Sequence, residues 1–482
     1  MQNGFKRKFE PIKILSNSNI EQIHTASLVI LEELGFKYES EKALKLLEAH
    51  GCKVDYNTMV AKIPPGLVEW ALDKTPSSFS VRAREPEKSL SIGGNTMYFM
   101  NSTGARHVNI DTGILTTPTL EQNNIAVLVS DSLDTVHVFP SYTPYFEIEN
   151  VPPVMSCPVS CAQRHRFSTK PSRGATEAES FIWEIQIAQV LDCQLLGLIC
   201  GNPPFSMGKD NANAAFAYLE AGFPIYVAAG SPLGSTRPVT VSGGIASYNA
   251  ELFAIIVLIQ CIKPGSGVIV DDSILSLNMQ TGDMNFSTAA TAMQQMAFNQ
   301  MWHSFYKVPI SDVGAAFSNS KIIDYQLGAE KLPVAMCSAL SGGNIIVLHG
   351  GVTAELAYNP VLAIIDDDIA RTIGRIIEGF DVNDDALGLN YINDVGFTGS
   401  FLSTKHTRAY WKTEDYMPKI FDKTSYSQWI ETGKKTVVDK AKEKYEDILA
   451  NYKQKPITDE QDRVIARILK EAENYYRKKG LM

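Results

Sequence analysis

The feature that most constrains this chain is a repeat. From about residue 119 onward, apolar β-rich runs alternate with helical stretches. The clear runs are 135–142, 168–174, 195–202, 224–231, 267–273, 308–315 and 344–351, with a weaker one at 395–403. Helical patterns at 176–193, 208–222, 246–262, 286–306 and 321–341 lie between them. Runs that are apolar along both faces must be covered on both, the condition of a parallel sheet between helices. The count, even spacing and lack of a dinucleotide fingerprint favour a closed (β/α)8 barrel of the TIM type over its competitor, a doubly wound open sheet.

The flanks read differently. Residues 16–35 form a helix capped by Ser18 or Asn19, with Ile20, Ile23, Ala26, Ile30, Leu31 and Leu34 on one face and Gly35 as its stop. A second helix covers 40–50, and Pro64-Pro65 opens a third. Residues 78–116 alternate and turn as a small β unit. The expected organisation is a helical and β appendage over 1–116, the catalytic barrel over 117–406 and a helical extension over 407–482. The extension holds amphipathic patterns at 434–450 and 458–478, either packed on the body or solvated. A length of 482 residues accommodates one barrel with such additions.

Composition narrows the partners. A net charge of −9 with no basic block argues against nucleic acid and anionic membranes and suits neutral or cationic ligands. The most apolar run, 252–262, is far shorter than the ~20 residues of a spanning helix. The polar first nine residues lead into no apolar signal segment, so a cytoplasmic location is expected. Seven scattered cysteines read as reduced, mostly buried thiols.

Familiar catalytic signatures are missing: no G-x-G-x-x-G, P-loop, H-E-x-x-H, C-x-x-C or G-x-S-x-G occurs. Cys157, Cys161 and His165 share a helix face and read either as zinc ligands or as buried thiols with a capping histidine. No metal site is assigned. Barrel chemistry sits at the C-terminal strand ends. Those ends offer Tyr142, Tyr145, Asn202, Asp271, Asp272, Asp312 and His349, the last followed by Gly350 and Gly351, where backbone can approach a ligand closely. His349 ends an otherwise apolar run and reads as a binding residue at the mouth, against the alternative of a satisfied core histidine. Asp271-Asp272 reads either as an acid pair or metal site, the basis of an alternative metal-dependent lyase or aldolase, or as helix caps. Tyr98, Phe99, Trp302 and Tyr306 add aromatic rings that suit a quaternary ammonium cage, or simply the core.

Four blocks together resemble the trimethylamine methyltransferase (MttB) superfamily of corrinoid-protein methyltransferases: ILEELGF, RHVNIDTG, SDVGAAFSNSKIIDYQLGAEK followed by SGGNIIVLHGG, and FLSTKHTRAYWKTEDYMPKIFDKTSYSQW. The resemblance spans nearly the whole chain. It implies a (β/α)8 barrel that passes a methyl group from a methylamine to Co(I) of a corrinoid on a separate small carrier protein. Founding members carry pyrrolysine after the sixth barrel strand; the corresponding stretch here, roughly 312–320, holds ordinary residues. Members without pyrrolysine act on quaternary amines, so glycine betaine is the expected substrate, with proline betaine or carnitine as alternatives. On this view Tyr98, Phe99 and Tyr306 cage the ammonium, and His349 with Gly350 and Gly351 receives the carboxylate. Asn202 and Asp271 serve the cob(I)alamin-type cofactor, which is supplied by the carrier and not tightly bound. No side chain acts as nucleophile, Asp312 being the one candidate catalytic group. A homo-oligomer is expected.

Overall fold

The computed structural model describes residues 4–142 and 144–482. Eight parallel strands form a ring: β1 (Thr96–Asn101), β2 (Val136–Val138), β3 (Ser172–Arg173), β4 (Leu195–Cys200), β5 (Ile225–Ala228), β6 (Val268–Asp272), β7 (Ile310–Asp312) and β8 (Ile345–His349). Each pairs in parallel with the next, β8 pairs with β1, and the join between β2 and β3 is the bridge Phe139–Ser172. A helix follows every strand: α1 (Leu120–Ser132), α2 (Ser156–Phe167), α3 (Phe181–Val190), α4 (Lys209–Glu220), α5 (Val241–Ile262), α6 (Ala289–Asn299), α7 (Tyr325–Ser341) and α8 (Pro360–Ile377). The fold is therefore the expected (β/α)8 barrel with flanking additions.

The ring starts one strand earlier than the sequence pattern suggests. The run TMYFMN alternates like any hairpin strand and was assigned by period to the appendage. It does join Leu90–Gly93 at its first residue, but then enters the barrel between β2 and β8. The eighth strand expected at 395–403 does not exist. That stretch ends the helix Leu389–Val395 and runs through turns into a short 3-10 segment, Phe401–Ser403. Its glycines and serines supply no run that a sheet could bury on both faces.

Side chains alternate across the ring as strand geometry requires. Tyr98, Met100, Leu196, Leu198, Tyr226, Ala228, Ile269, Ile345 and Val347 fill the inside. The hairpin Ser78–Val81/Leu90–Gly93 closes the bottom with Val81, Leu90 and Ile92. Phe99, Ile346 and Leu348 point outward to a separate layer under α7 and α8. Two small sheets raise a collar around the C-terminal end of the ring. One is Gly351–Val352, Ala357–Tyr358, Arg106–Val108 and Leu115–Thr116; the other is Ser231–Leu233, Ile274–Leu277 and Met284–Asn285.

The first helix spans Asn17–Val29 and is capped by Ser16, two residues before the expected cap, because Asn19 completes a reciprocal capping box with it. It packs with the other N-terminal helices, Glu41–Ala49 and Pro65–Lys74, on α5. Among the described residues α5 is the one helix long and apolar enough to cross a bilayer, and it is buried inside the protein. The C-terminal helices Val437–Asn451 and Asp459–Lys478 pack on the barrel helices, the first on α8 and α1, the second on α3 and α2. Their apolar stripes, Ala441 and Ile448 in one and Ile465, Ile468, Ala472 and Tyr476 in the other, are buried.

The join between β2 and β3 carries few ladder bonds, and Arg164 of α2 supplements them. Its guanidinium is buried and donates to Pro140 O at 3.0 Å and Ser141 O at 2.6 Å. Arg164→Leu strands those carbonyls away from water, which costs about 2–4 kcal/mol. Urea unfolding should show that loss as a lower midpoint at unchanged slope, and an unchanged midpoint would remove Arg164 from the closure.

Candidate active site

Inside the collar lies a cavity of about 300 Å³ at the C-terminal ends of the strands. Its wall is mostly apolar, from Met100, Leu198, Ala228, Leu275, Met284, Phe286, Val313, Phe317 and Val347. Three ionisable side chains break that wall: Arg173, Asp271 and Glu355.

Arg173 ends β3. Its Nε donates to Ser141 Oγ at 3.0 Å, and its guanidinium lies over the Tyr226 ring, 4.7 Å from the centroid. Burial opposes its charge, but Tyr226 and Asp271 more than offset that and keep it firmly protonated. Asp271 is a buried inward residue of β6. Desolvation lifts its carboxyl to about 7 against the opposing pull of Arg173. Its Oδ1 is buried without a hydrogen-bond partner among the described residues. Glu355 lines the cavity from the collar hairpin while remaining exposed to solvent, and desolvation by the surrounding loops raises its carboxyl. Burying a bare ion is costly, which is why the fully buried Asp271 is the more strongly shifted of the two.

The aromatic part comes from loops pinned to one another. Phe286 and Phe317 meet edge to face at 5.3 Å. Ser287, in the left-handed region at φ 53°, donates through Oγ to Gly314 O at 3.0 Å and Phe317 O at 2.8 Å. Thr353 and Ala354, at φ 57° and 55°, donate their N–H groups to Ser320 O and Ser318 O and so aim Glu355 inward. Backbone held in this region is strained, and here the strain fixes two lining residues. Gly351 packs where a Cβ would fall 2.3 Å from Ala316 O, so only glycine lets the two loops close.

Most residues expected at the mouth lie elsewhere. The ring of Tyr98 points down the barrel, where its hydroxyl meets Ser91 of the bottom hairpin. Phe99 faces outward against Phe5 and His349. Tyr306 sits behind the barrel, its hydroxyl 3.1 Å from His24 Nδ1 and its ring on Trp302 and Phe253. His349 was expected to project into the mouth, but the ladder slips one register between Val347 and His349, and the ring turns to the outer layer. There its Nε2 lies 2.9 Å from Thr135 Oγ1, and burial with Lys331 and Lys170 nearby drives its pKa to about 3. A neutral, walled-in ring offers a substrate nothing. Gly350, at φ +85°, donates its N–H to Asp366 at 2.8 Å and lies against the Tyr358 ring, outside the cavity lining.

Asn202 is an exposed cap whose Oδ1 accepts from Gly208 N at 3.0 Å. Asp312 points outward, accepting from Asn299 at 3.0 Å and from Ser338, and burial raises its carboxyl to about 6. Asp272 also points outward, to Gln294 Nε2 at 2.6 Å. Asp271 and Asp272 therefore occupy opposite faces of one strand and do not form the acid pair that a lyase reading requires. Tyr145 is buried against His107 and Tyr358, while Tyr142 lies beside Phe146 and lines a separate pocket. Cys157, Cys161 and His165 do lie on helix α2. Among the described residues, however, no three His, Cys, Asp or Glu side chains converge as metal ligands. Asp271 is thus the expected site residue that does line the cavity.

Arg173, Glu355, Phe286 and Phe317 were missed. Arg173 carried a usable signal, since it is a cation ending a β-rich run. The stretch 313–320 follows β7 of the completed ring, one strand later than counted, and contributes Val313 and Phe317.

The model of the family described as trimethylamine methyltransferase (MTTB) matches residues 1–473. The chain belongs to that family. Similar members include the glycine betaine methyltransferase of Desulfitobacterium hafniense strain Y51, 29% identical over 91% of this chain and 92% of the relative. The trimethylamine methyltransferase MttB of D. hafniense strain DSM 10664 / DCB-2 is 25% identical over 96% and 94%. Among solved structures, the hydroxylamine MtmB complex superposes with a TM-score of 0.52 at 12% identity, covering 90% of this chain and 88% of that one, which supports the fold. The protein is accordingly a methyltransferase of the MTTB family.

The Asp271 carboxyl gives a pH test. Its folded pKa of about 7 lies above the ordinary aspartate value of 3.8, so the folded state holds the extra proton between those two pH values. Stability contributed by that proton is present in acid and is lost as pH rises from about 4 through about 7. Asp271→Asn removes the penalty. Its stability advantage over the wild type, measured by denaturant unfolding across pH, should be small in acid and grow to a plateau above neutrality. A pH-independent difference would show that Asp271 stays ionised.

Proposed function

We propose that the protein transfers a methyl group from a quaternary amine bearing a carboxylate, glycine betaine first, to Co(I) of a corrinoid held by a separate carrier protein, releasing dimethylglycine. The observation that carries this reading is one small, mostly apolar cavity lined by a fixed guanidinium and two acidic side chains. A betaine is a zwitterion with both complements. Arg173 receives its carboxylate, a charged hydrogen-bonded pair of the strong class. Asp271 and Glu355 lie on the ammonium side, where Phe286 and Phe317 add ring faces of the kind that attract quaternary nitrogen. A volume of about 300 Å³ suits a compact ligand and sits at the small end of ordinary ligand sites.

The chemistry accounts for the absence of a nucleophilic or acid–base motif. Co(I) supplies the electron pair for the new Co–CH3 bond, and the C–N pair stays on nitrogen, which leaves as a neutral tertiary amine. No proton moves, so the side chains need only bind, orient and exclude water. Holding the methyl carbon in line with its acceptor is worth several powers of ten in rate. The similarity to the glycine betaine methyltransferase supports this substrate ahead of proline betaine or carnitine.

Mixing the protein with cob(I)alamin and glycine betaine, and following methylcobalamin by absorbance, tests the proposal. Turnover with glycine betaine and none with trimethylamine is expected. Fast turnover of trimethylamine without betaine activity would overturn it. Arg173→Gln should raise the KM for glycine betaine by about 10- to 100-fold, the equivalent of losing a charged hydrogen bond of about 1.5–3 kcal/mol. Any turnover of tetramethylammonium, which has no carboxylate, should be nearly unaffected. Equal loss on both substrates would assign Arg173 a structural role.

A further inference from the structure

Between α8 and the extension that returns to the barrel, residues 380–413 leave the body. Apart from Gly388, no residue of this arm is buried. Its helices, Asp384–Leu387, Leu389–Val395 and Lys405–Glu414, bury no side chain. Segments this short are marginal as isolated helices in water.

The arm nonetheless carries Phe380, Val382, Leu387, Leu389, Ile392, Phe397, Phe401, Leu402 and Trp411 on its surface, with Phe397 fully exposed at 108% and Leu402 at 85%. At roughly 150–250 Å² for each large side chain, they leave on the order of 1,000 Å² of apolar surface open. Summed over these side chains, that is comparable to the ~800 Å² per partner of a stable interface.

Charge identifies the occupant. The first limb, 381–394, carries Asp381, Asp384, Asp385 and Asp394 and no Lys or Arg. The second limb, 405–412, carries Lys405, Arg408 and Lys412 and no Asp or Glu. Asp381 pairs with Lys8; among the described residues the other carboxylates and the three cations form no ion pair. A surface with one acidic and one basic limb beside an apolar strip is complementary to itself. A two-fold axis sets the acidic limb of one copy on the basic limb of the other. Position argues against the carrier protein. The arm leaves from the C-terminal end of α8, and barrel helices run back from the mouth, so it is rooted at the opposite end from the cavity that a methyl acceptor must reach.

We infer that 380–413 is a dimerisation arm, in which two copies of this chain pair about a two-fold axis through a shared apolar strip flanked by reciprocal acidic and basic limbs. This inference does not rest on the substrate reading.

A charge swap tests it on the full chain by sedimentation velocity. The wild type should sediment as a dimer or a multiple of it. Lys405→Glu with Arg408→Glu makes both limbs acidic, and Asp384→Lys with Asp385→Lys makes both basic. Each variant alone should lose self-association, and an equimolar mixture should recover it. All four residues are exposed, so circular dichroism of each variant should match the wild type. Hydrogen exchange of the wild-type arm provides a second readout that needs no variant: protection of 380–413 should increase with protein concentration. A monomeric wild type overturns the inference. So do variants that still self-associate, a mixture that fails to recover association, or arm protection that appears only on adding the corrinoid carrier or lipid vesicles.

Discussion

The closure between β2 and β3 is the constraint on which the mouth depends. These are the shortest neighbours in the ring, and their join is held by Phe139 N to Pro171 O and Arg173 N to Phe139 O, both at 2.9 Å. Arg164 anchors the loop after β2 from outside, while Ser141 donates to Gly174 O at 2.5 Å and accepts from Arg173. The bonds that shut the barrel are thus the bonds that orient its cavity guanidinium. A loosened join would release Arg173 from the Tyr226 face, and the cavity would lose its fixed cation before it lost its shape.

Polar groups at the strand ends divide between two tasks according to the face they occupy. On the outer face, His349 with Thr135, Asp312 with Asn299 and Ser338, Asp272 with Gln294, and Leu348 O with Lys331 hold the strand ends to the surrounding elements. Each of these groups has at least one partner, although Asp312 Oδ1 and His349 Nδ1 have none among the described residues, so partnering is incomplete on this face too. On the inner face, Asp271 keeps an oxygen without one, and Arg173 and Glu355 lie nearby in an otherwise apolar wall. An unsatisfied buried carboxyl is expensive, and such groups cluster where a ligand completes them.

This division explains what could be read from the chain. The period of the apolar runs carried the barrel, because a strand covered on both faces has no polar positions to confuse the pattern. Thr96–Asn101 was misplaced because one strand serves both a hairpin and the ring, and alternation is identical in either role. The site was less legible. Parity along β8 puts His349 inside with Ile345 and Val347, but a single register slip against β1 reverses it. From the sequence Asp271 and Asp272 read either as an acid pair or metal site or as helix caps, and the pair is excluded because adjacent strand residues face opposite ways. Phe286, Phe317 and Glu355 reach the cavity from loops whose course depends on left-handed residues at Ser287, Thr353 and Ala354. Side chains do not announce such conformations when the residue is not glycine.

The charge pattern of the cavity bears on substrate choice in a way the fold does not. For a tertiary amine to lose a methyl group as a neutral product its nitrogen must first be protonated, because otherwise the leaving group is an amide anion. A permanently cationic donor needs no such step. It gains from Asp271 and Glu355 as they ionise and lowers their pKa in turn, because an opposite charge favours the ionised form. Its carboxylate likewise favours the charged form of Arg173, which for a base means a higher pKa. On the proposed reading, a zwitterion meets Arg173 and the two carboxyls at once. In the proposed reaction, methyl loss would convert the cationic end to a neutral amine and withdraw one of those two attractions, which would favour release of the product over retention.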